Sequence, residues 1–220
     1  MWTCVVMTCA GFVSGSIMYS YFLPKWIYHV DSRMAGEDRN PGGSNAMAAA
    51  GKGMGLLCMF LDVFKAFVPV FAAVTWLDVS GLELAPVMAA PVLGHAFSPL
   101  LGFKGGKAVS ASFGSLLGAA AVSGAIGILV ISMLVVRFII VVHPDSAKVV
   151  TAFITAALVV WVFDSSPGSG LGMTIISATV CVKHFLNPNR EELGLSIGPL
   201  RVRYEDRKIK VGIKQDKKAS

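Results

Sequence analysis

The sequence predicts an all-α integral membrane protein of about seven transmembrane helices, with its N-terminus outside and its C-terminus in the cytoplasm. Three observations predict this. Of the 220 residues, 55% are hydrophobic and only 15% charged, with a mean hydropathy of +0.68, whereas a soluble domain carries roughly 25% charged residues. The apolar residues gather in uninterrupted runs, and a bilayer core about 30 Å thick takes about 20 of them per helix. Finally, the basic residues fall on one side of those runs.

The runs cover 2–23, 54–77, 83–101, 108–122, 124–142, 147–163 and 170–185. Nothing before Gly11 in the first run is charged, and Lys25 follows it, so it reads as a retained span rather than a signal peptide. The fourth run is short and rich in Gly and Ala, which suits a helix packed inside the bundle, where small residues let backbones approach. With the N-terminus outside, the outer turns and helix ends hold Asp78, Glu83 and Asp164 and no Lys or Arg. The inner segments hold Lys25, Arg33, Arg39, Lys52, Lys104, Lys107, Lys148 and the ten basic residues from Lys183 onward, 17 of the 19 in the chain. That asymmetry follows the positive-inside rule and sets the orientation.

The net charge of +6 therefore points to a membrane surface with anionic headgroups rather than to nucleic acid. Cys4, Cys9, Cys58 and Cys181 lie within apolar runs, without metal-finger spacing or a disulfide framework. No metal and no cofactor is expected. Residues 1–192 read as the seven-span domain. Residues 193–220 read as a basic cytoplasmic tail, its mixture of Ile, Val and Leu with basic residues suiting a membrane-surface segment or a short hairpin.

Three polar stretches remain once the spans are removed, and all fall on the inner face. The first, Asp31 to Asn45, reads DSRMAGEDRNPGGSN. Its glycines let backbone N–H groups turn toward an anion, and its arginines offer a planar fork to phosphate oxygens. The second runs from Gly94-His95 through Phe103-Lys104-Gly105-Gly106-Lys107. Two lysines around a Gly pair before a helix suit a phosphate cradle, although the spacing is not that of a Walker A loop. The third ends the last span with Lys183, His184, Asn187 and Arg190; 183, 187 and 190 share a face if the helix continues. Within the second span, Asp62 and Lys65 are placed to pair on one helix face and brace the site from inside.

At these residues the chain resembles the bacterial acyl-phosphate:glycerol-3-phosphate acyltransferase family of the PlsY type. The strongest match is GHAFSPLLGFKGGKAVSASFG. Asp31-x-Arg33, Gly36, Asn40-Pro41-Gly42 and Asn45 match in the first stretch, Asp62 and Lys65 in the second span, and His184, Asn187 and Arg190 in the third stretch. The resemblance implies transfer of a fatty acyl group from acyl-phosphate to glycerol 3-phosphate, giving lysophosphatidic acid for phospholipid synthesis, without a metal or a covalent acyl-enzyme. It assigns His184 and Lys104 to catalysis. It assigns substrate and phosphate binding to Asn40, Gly42, Asn45, His95, Gly105, Gly106, Lys107, Asn187 and Arg190. Two departures stand out: Glu37-Asp38-Arg39 lies where the family reads Ser-Gly, and Ala48 lies where it has Arg. Arg39 is taken as the replacement cation and joins the binding set. The expected location is the cell (inner or plasma) membrane, with the partners acyl-phosphate, glycerol 3-phosphate and membrane lipid. The alternatives are a divergent paralogue acylating another polar acceptor, or a non-catalytic membrane transporter or partner.

Overall fold

The structure is a computed structural model describing residues 2–186 and strand residues 194–197, 200–205 and 208–213. The chain is an integral membrane protein built on helices. The first span is split into α1 (Trp2–Ser16) and α2 (Tyr19–Tyr28), and a short α3 (Gly43–Ala50) precedes α4 (Lys52–Trp76). Then follow α5 (Leu84–Ala96), α6 (Val109–Gly118), α7 (Ala125–Phe138), α8 (Asp145–Phe163) and α9 (Pro167–Phe185). Four stretches are long and apolar enough to cross a bilayer by themselves: Trp2–Tyr28, Lys52–Trp76, Gly81–Leu101 and Asp145–Phe163. Helices α6 and α7 are apolar but shorter.

Side-chain contacts fix how the helices run. Cys4 Sγ lies 3.6 Å from the Glu83 carbonyl oxygen, and Ser98 Oγ donates to the Ser16 carbonyl at 2.6 Å, so α1 and α5 run in the same direction. A Cβ on Gly94 would strike the Phe12 carbonyl, which is how closely these two backbones approach. Helix α4 runs against the first span, with Ser14 Oγ of α1 on the Lys65 carbonyl at 2.7 Å and Cys58 Sγ 3.5 Å from the carbonyl of Tyr19 in α2. Helix α8 runs against α9, tied by Ser177 Oγ to the Phe153 carbonyl and by Trp161 Nε1 to Thr174 Oγ1. Val70, Met88, Leu129, Phe153, Met173 and Ile176 fill the core between them. As expected, α6 packs inside, burying Ala111, Ser112, Gly114, Ser115 and Leu116.

Two ends result. One carries the acidic turns, where Ser123 Oγ and the Gly124 N–H both donate to the Asp164 carboxylate at 2.8 and 3.1 Å. The other gathers the segment between α2 and α4, the segment between α5 and α6, and the end of α9.

Three expectations need correction. The first span is not one run over 2–23: it breaks at Ile17–Met18 and resumes through Tyr28. The break is held from outside, because the freed Ser16 and Ile17 carbonyls accept from Ser98 Oγ and Lys65 Nζ. Second, α7 stops at Phe138 rather than reaching 142, and the β-branched run that follows forms β1 (Ile140–His143). Third, the protein is not wholly α-helical. The tail forms β2 (Gly194–Ile197), β3 (Leu200–Glu205) and β4 (Lys208–Ile213). With β1 these make an antiparallel sheet in the order β1-β2-β3-β4. The hairpin reading of the tail holds, and its backbone is tied to the end of α7.

Candidate active site

The first loop is pinned at its base. Asp31 accepts from the Arg33 N–H at 3.0 Å and pairs with its guanidinium at 2.6 Å, which itself lies 4.5 Å over the Tyr21 ring. The Arg33 hydrogen bonds hold the Asp31 carboxyl below its usual range. Ser32 Oγ anchors the same turn to the Ser20 carbonyl at 2.7 Å. The chain then turns between Gly36 and Asn40, with the Arg39 N–H on the Gly36 carbonyl at 3.1 Å and Arg39 itself at φ +48°. Asn45 closes the loop, its Nδ2 donating to Asp38 Oδ1 at 2.9 Å and to the Asn40 carbonyl at 2.8 Å. A side chain at Gly36 would collide with that amide.

The second loop is pressed onto α5. The Gly106 N–H donates to the His95 carbonyl at 3.0 Å. A Cβ on Gly105 would overlap the His95 and Ala96 carbonyls, and one on Gly106 would meet the His95 ring. Only glycines allow this approach. Phe103 (φ +62°) and Ala108 (φ +64°) bound the loop in the left-handed region, and such strain concentrates where a structure must hold a fixed geometry. Lys104 is exposed and Lys107 half-buried on either side of the Gly pair.

These loops meet. Lys107 Nζ lies 2.7 Å from Asp38 Oδ2. Burial of Asp38 works against its charge, but hydrogen bonds from Lys107, Asn45 and the Asn40 N–H outweigh it and leave the carboxyl below its usual range. The third element reaches the same end of the bundle: Lys183 Nζ, beside the buried His184, lies 5.6 Å over the Phe97 ring at the end of α5. His184 Nδ1 is 2.9 Å from the Val180 carbonyl. A carbonyl can only accept, so in the neutral ring Nδ1 carries the proton and Nε2 is left as an acceptor.

Beneath the loops lies a buried polar group. Lys65 Nζ pairs with Asp62 Oδ1 at 2.7 Å, each side chain only 2% exposed, as the i, i+3 spacing predicts. Ser20 Oγ donates to Asp62 Oδ2 at 2.6 Å. His95 Nδ1 lies 3.9 Å from Asp62 Oδ1. This group connects the broken first span, α4 and α5 directly under Gly106.

Of the residues read from the sequence, Asn40, Gly42, Asn45, Gly105, Gly106, Lys107 and His184 come together at one end of the bundle. Gly42 sits against the Asn40 amide, which a Cβ there would meet. Lys104 and Arg39 stand exposed at the rim. His95 lies behind Gly106 rather than in the open site. Asn187 and Arg190 lie outside the described residues. Sequence reasoning missed Asp38 as a partner of Lys107, and missed Ser20 and Ser98, because a lone Ser or Asp carries no spacing signal. Among the described residues no group of three His, Cys, Asp or Glu side chains is placed to hold a metal ion. What the site offers is cationic and amide donors for an anion, with an imidazole acceptor beside them.

A sequence profile described as glycerol-3-phosphate acyltransferase matches residues 5–192. Glycerol-3-phosphate acyltransferase 2 of Thermotoga maritima is 39% identical over 104 residues, 47% of this chain and 52% of that protein. In that match, and in one of like size to the Thermotoga petrophila enzyme, the chain spans about half the length of the curated relative. The glycerol-3-phosphate acyltransferase of Pseudomonas paraeruginosa is 30% identical over 182 residues, 83% of this chain and 92% of the relative. A crystal structure of PlsY (YgiH), an integral membrane glycerol 3-phosphate acyltransferase in its glycerol 3-phosphate form, superposes with a TM-score of 0.71. It is 27% identical and covers 83% of this chain and 88% of its own. The lysophosphatidic acid form of PlsY gives a TM-score of 0.67 at 26% identity, covering 82% and 87%.

Proposed function

The chain belongs to the glycerol-3-phosphate acyltransferase family, and on that premise we propose that it transfers a fatty acyl group from an acyl-phosphate to the 1-hydroxyl of glycerol 3-phosphate. The observation that carries this is the meeting of three separate polar stretches at one end of the bundle, around Lys107, Asn45 and His184. Phosphate is a multiply charged anion, and cations and amides fixed in advance stabilise it without reorganising during the reaction.

In this reading Lys107, the Gly105-Gly106 backbone and the Asn40, Gly42 and Asn45 loop receive phosphate, with Lys104 and Arg39 at the mouth. His95 braces Gly106 from behind. His184 Nε2 accepts the hydrogen bond of the 1-hydroxyl. As the hydroxyl oxygen bonds to the acyl carbonyl carbon, its proton passes to Nε2, the carbon–oxygen bond to phosphate breaks, and inorganic phosphate leaves with the bonding pair. Asn187 and Arg190 are assigned to the acceptor pocket by resemblance alone. The product is lysophosphatidic acid, the membrane its destination. The excess of basic residues at the site's end supports a cell-membrane protein whose active face is cytoplasmic. Residues 1–192 form the catalytic unit and 193–220 a basic cytoplasmic tail.

The test is to incubate the purified chain in detergent with palmitoyl-phosphate and labelled glycerol 3-phosphate. Wild type is expected to form lysophosphatidic acid. His184→Ala is expected to lose about 100-fold or more in rate, and Lys104→Ala to lose about tenfold or more. A folded wild type that forms no product ends this reading.

A further inference from the structure

The pairing of Lys107 with Asp38 has a consequence for which ligands the site admits. Three donors converge on the Asp38 carboxylate: Lys107 Nζ at 2.7 Å on one oxygen, and Asn45 Nδ2 at 2.9 Å and the Asn40 N–H at 3.2 Å on the other. Lys107, Asn45 and Asn40 are the same groups read above as receiving phosphate. An anion of the chain itself therefore satisfies the site's donors. Asp38 lies on a turn rather than in a helix or strand, so its carboxylate can leave without breaking a backbone ladder. Its neighbour Arg39 is exposed.

Resting on that functional reading, we propose that Asp38 is a specificity-determining residue: its carboxylate occupies Lys107, and an incoming ligand enters only by binding those donors better than a carboxylate does. A phosphate monoester carries about −1.5 to −2 charge at pH 7 and three acceptor oxygens. A carboxylate carries one charge and two oxygens. The exchange favours phosphate and excludes small monoanions of similar shape, such as glycerate, which shares the three-carbon frame of glycerol 3-phosphate. Specificity here comes from a built-in competitor as much as from attraction.

The experiment compares wild type with Asp38→Asn, using the full chain in detergent. Asp38→Asn keeps an acceptor for Asn45 and the Asn40 N–H but removes the negative charge that faces Lys107. Glycerate is expected to inhibit the variant at about a tenth of the concentration needed for wild type. The KM for glycerol 3-phosphate is expected to fall about threefold, the effect lying in KM rather than kcat. Unchanged glycerate inhibition, or a raised KM, overturns the proposal and leaves Asp38 as a brace for Lys107. If Asp38→Asn does not fold, Asp38→Ser makes the same comparison. A wild type that transfers no acyl group would end the functional reading without deciding this one. Thermal shifts with glycerate and with inorganic phosphate still would: glycerate stabilising only the variant supports the exchange, and equal shifts in both proteins refute it.

Discussion

Two Lys–Asp pairs in this protein have the same length and opposite surroundings. Lys65 and Asp62 meet at 2.7 Å with each side chain 2% exposed. Lys107 and Asp38 meet at 2.7 Å with 26% and 18% exposed. The first pair lies within the helix bundle, where an unpaired charge is very costly, and Ser20 Oγ on Asp62 and the Ile17 carbonyl on Lys65 hold it further. The second joins two loops at the mouth, where water compensates either partner and the net value of such a pair is about 0–1 kcal/mol. Bond length alone does not reveal a salt bridge's role. Burial makes one pair a fixture and lets the other exchange.

The contrast breaks first at Asp62. Asp62→Ala leaves Lys65 charged and buried, with an expected loss of about 3–5 kcal/mol; thermal melts in detergent and the yield of monodisperse protein measure it. The double variant Asp62→Leu with Lys65→Met is expected to recover most of that loss. A deficit of about 1–3 kcal/mol should remain, because the Ile17 carbonyl loses its donor. If Asp62→Ala melts like wild type, the buried pair is no fixture. At the mouth, Lys107→Ala is expected to raise the glycerol 3-phosphate KM about tenfold while lowering stability by no more than about 1 kcal/mol. A large fall in melting temperature there would erase the distinction. Arg39→Ala, at the rim, is expected to raise KM about threefold, and an unchanged KM removes Arg39 from the site.

The smallest effect concerns pH. The Asp38 carboxyl in the folded protein lies below its ordinary 3.8, so the folded state binds fewer protons than the unfolded state around that value. The stabilisation is fully present above the unfolded value and is lost as pH falls through the folded one. The difference in melting temperature between wild type and Asp38→Asn should therefore be flat from about pH 8 to about pH 5 and shrink only below about pH 4. A difference that vanishes near neutrality would contradict the ion pair.

The sequence made the site's ingredients legible but not its contacts. Apolar runs located the helices, though not the break in the first span or the stop of α7 at Phe138, the basic residues pointed to one end, and Lys104-Gly105-Gly106-Lys107 marked the loop that packs onto α5. Composition does not encode which carbonyl a side chain reaches. The break at Ile17–Met18 has no Gly or Pro at either position, since Lys65 and Ser98 from other helices hold it open. Nor do Arg39, Phe103 and Ala108 advertise their positive φ, a conformation usually left to glycine. The acidic residues inserted in the first loop read only as added negative charge; that Asp38 meets Lys107 is a fact of two loops approaching in space.

The interrupted first span also bears on how the protein is assembled. A helix entering a bilayer normally satisfies its own backbone, but this one carries the Ser16 and Ile17 oxygens inward without helical partners, to be satisfied by donors from the second and third spans. Alone in lipid, the N-terminal segment would have to wind straight through that point or hold those oxygens against hydrocarbon. The broken geometry is therefore stable only with the second and third spans packed beside it, so the place where the first span turns is set by residues that follow it in the chain.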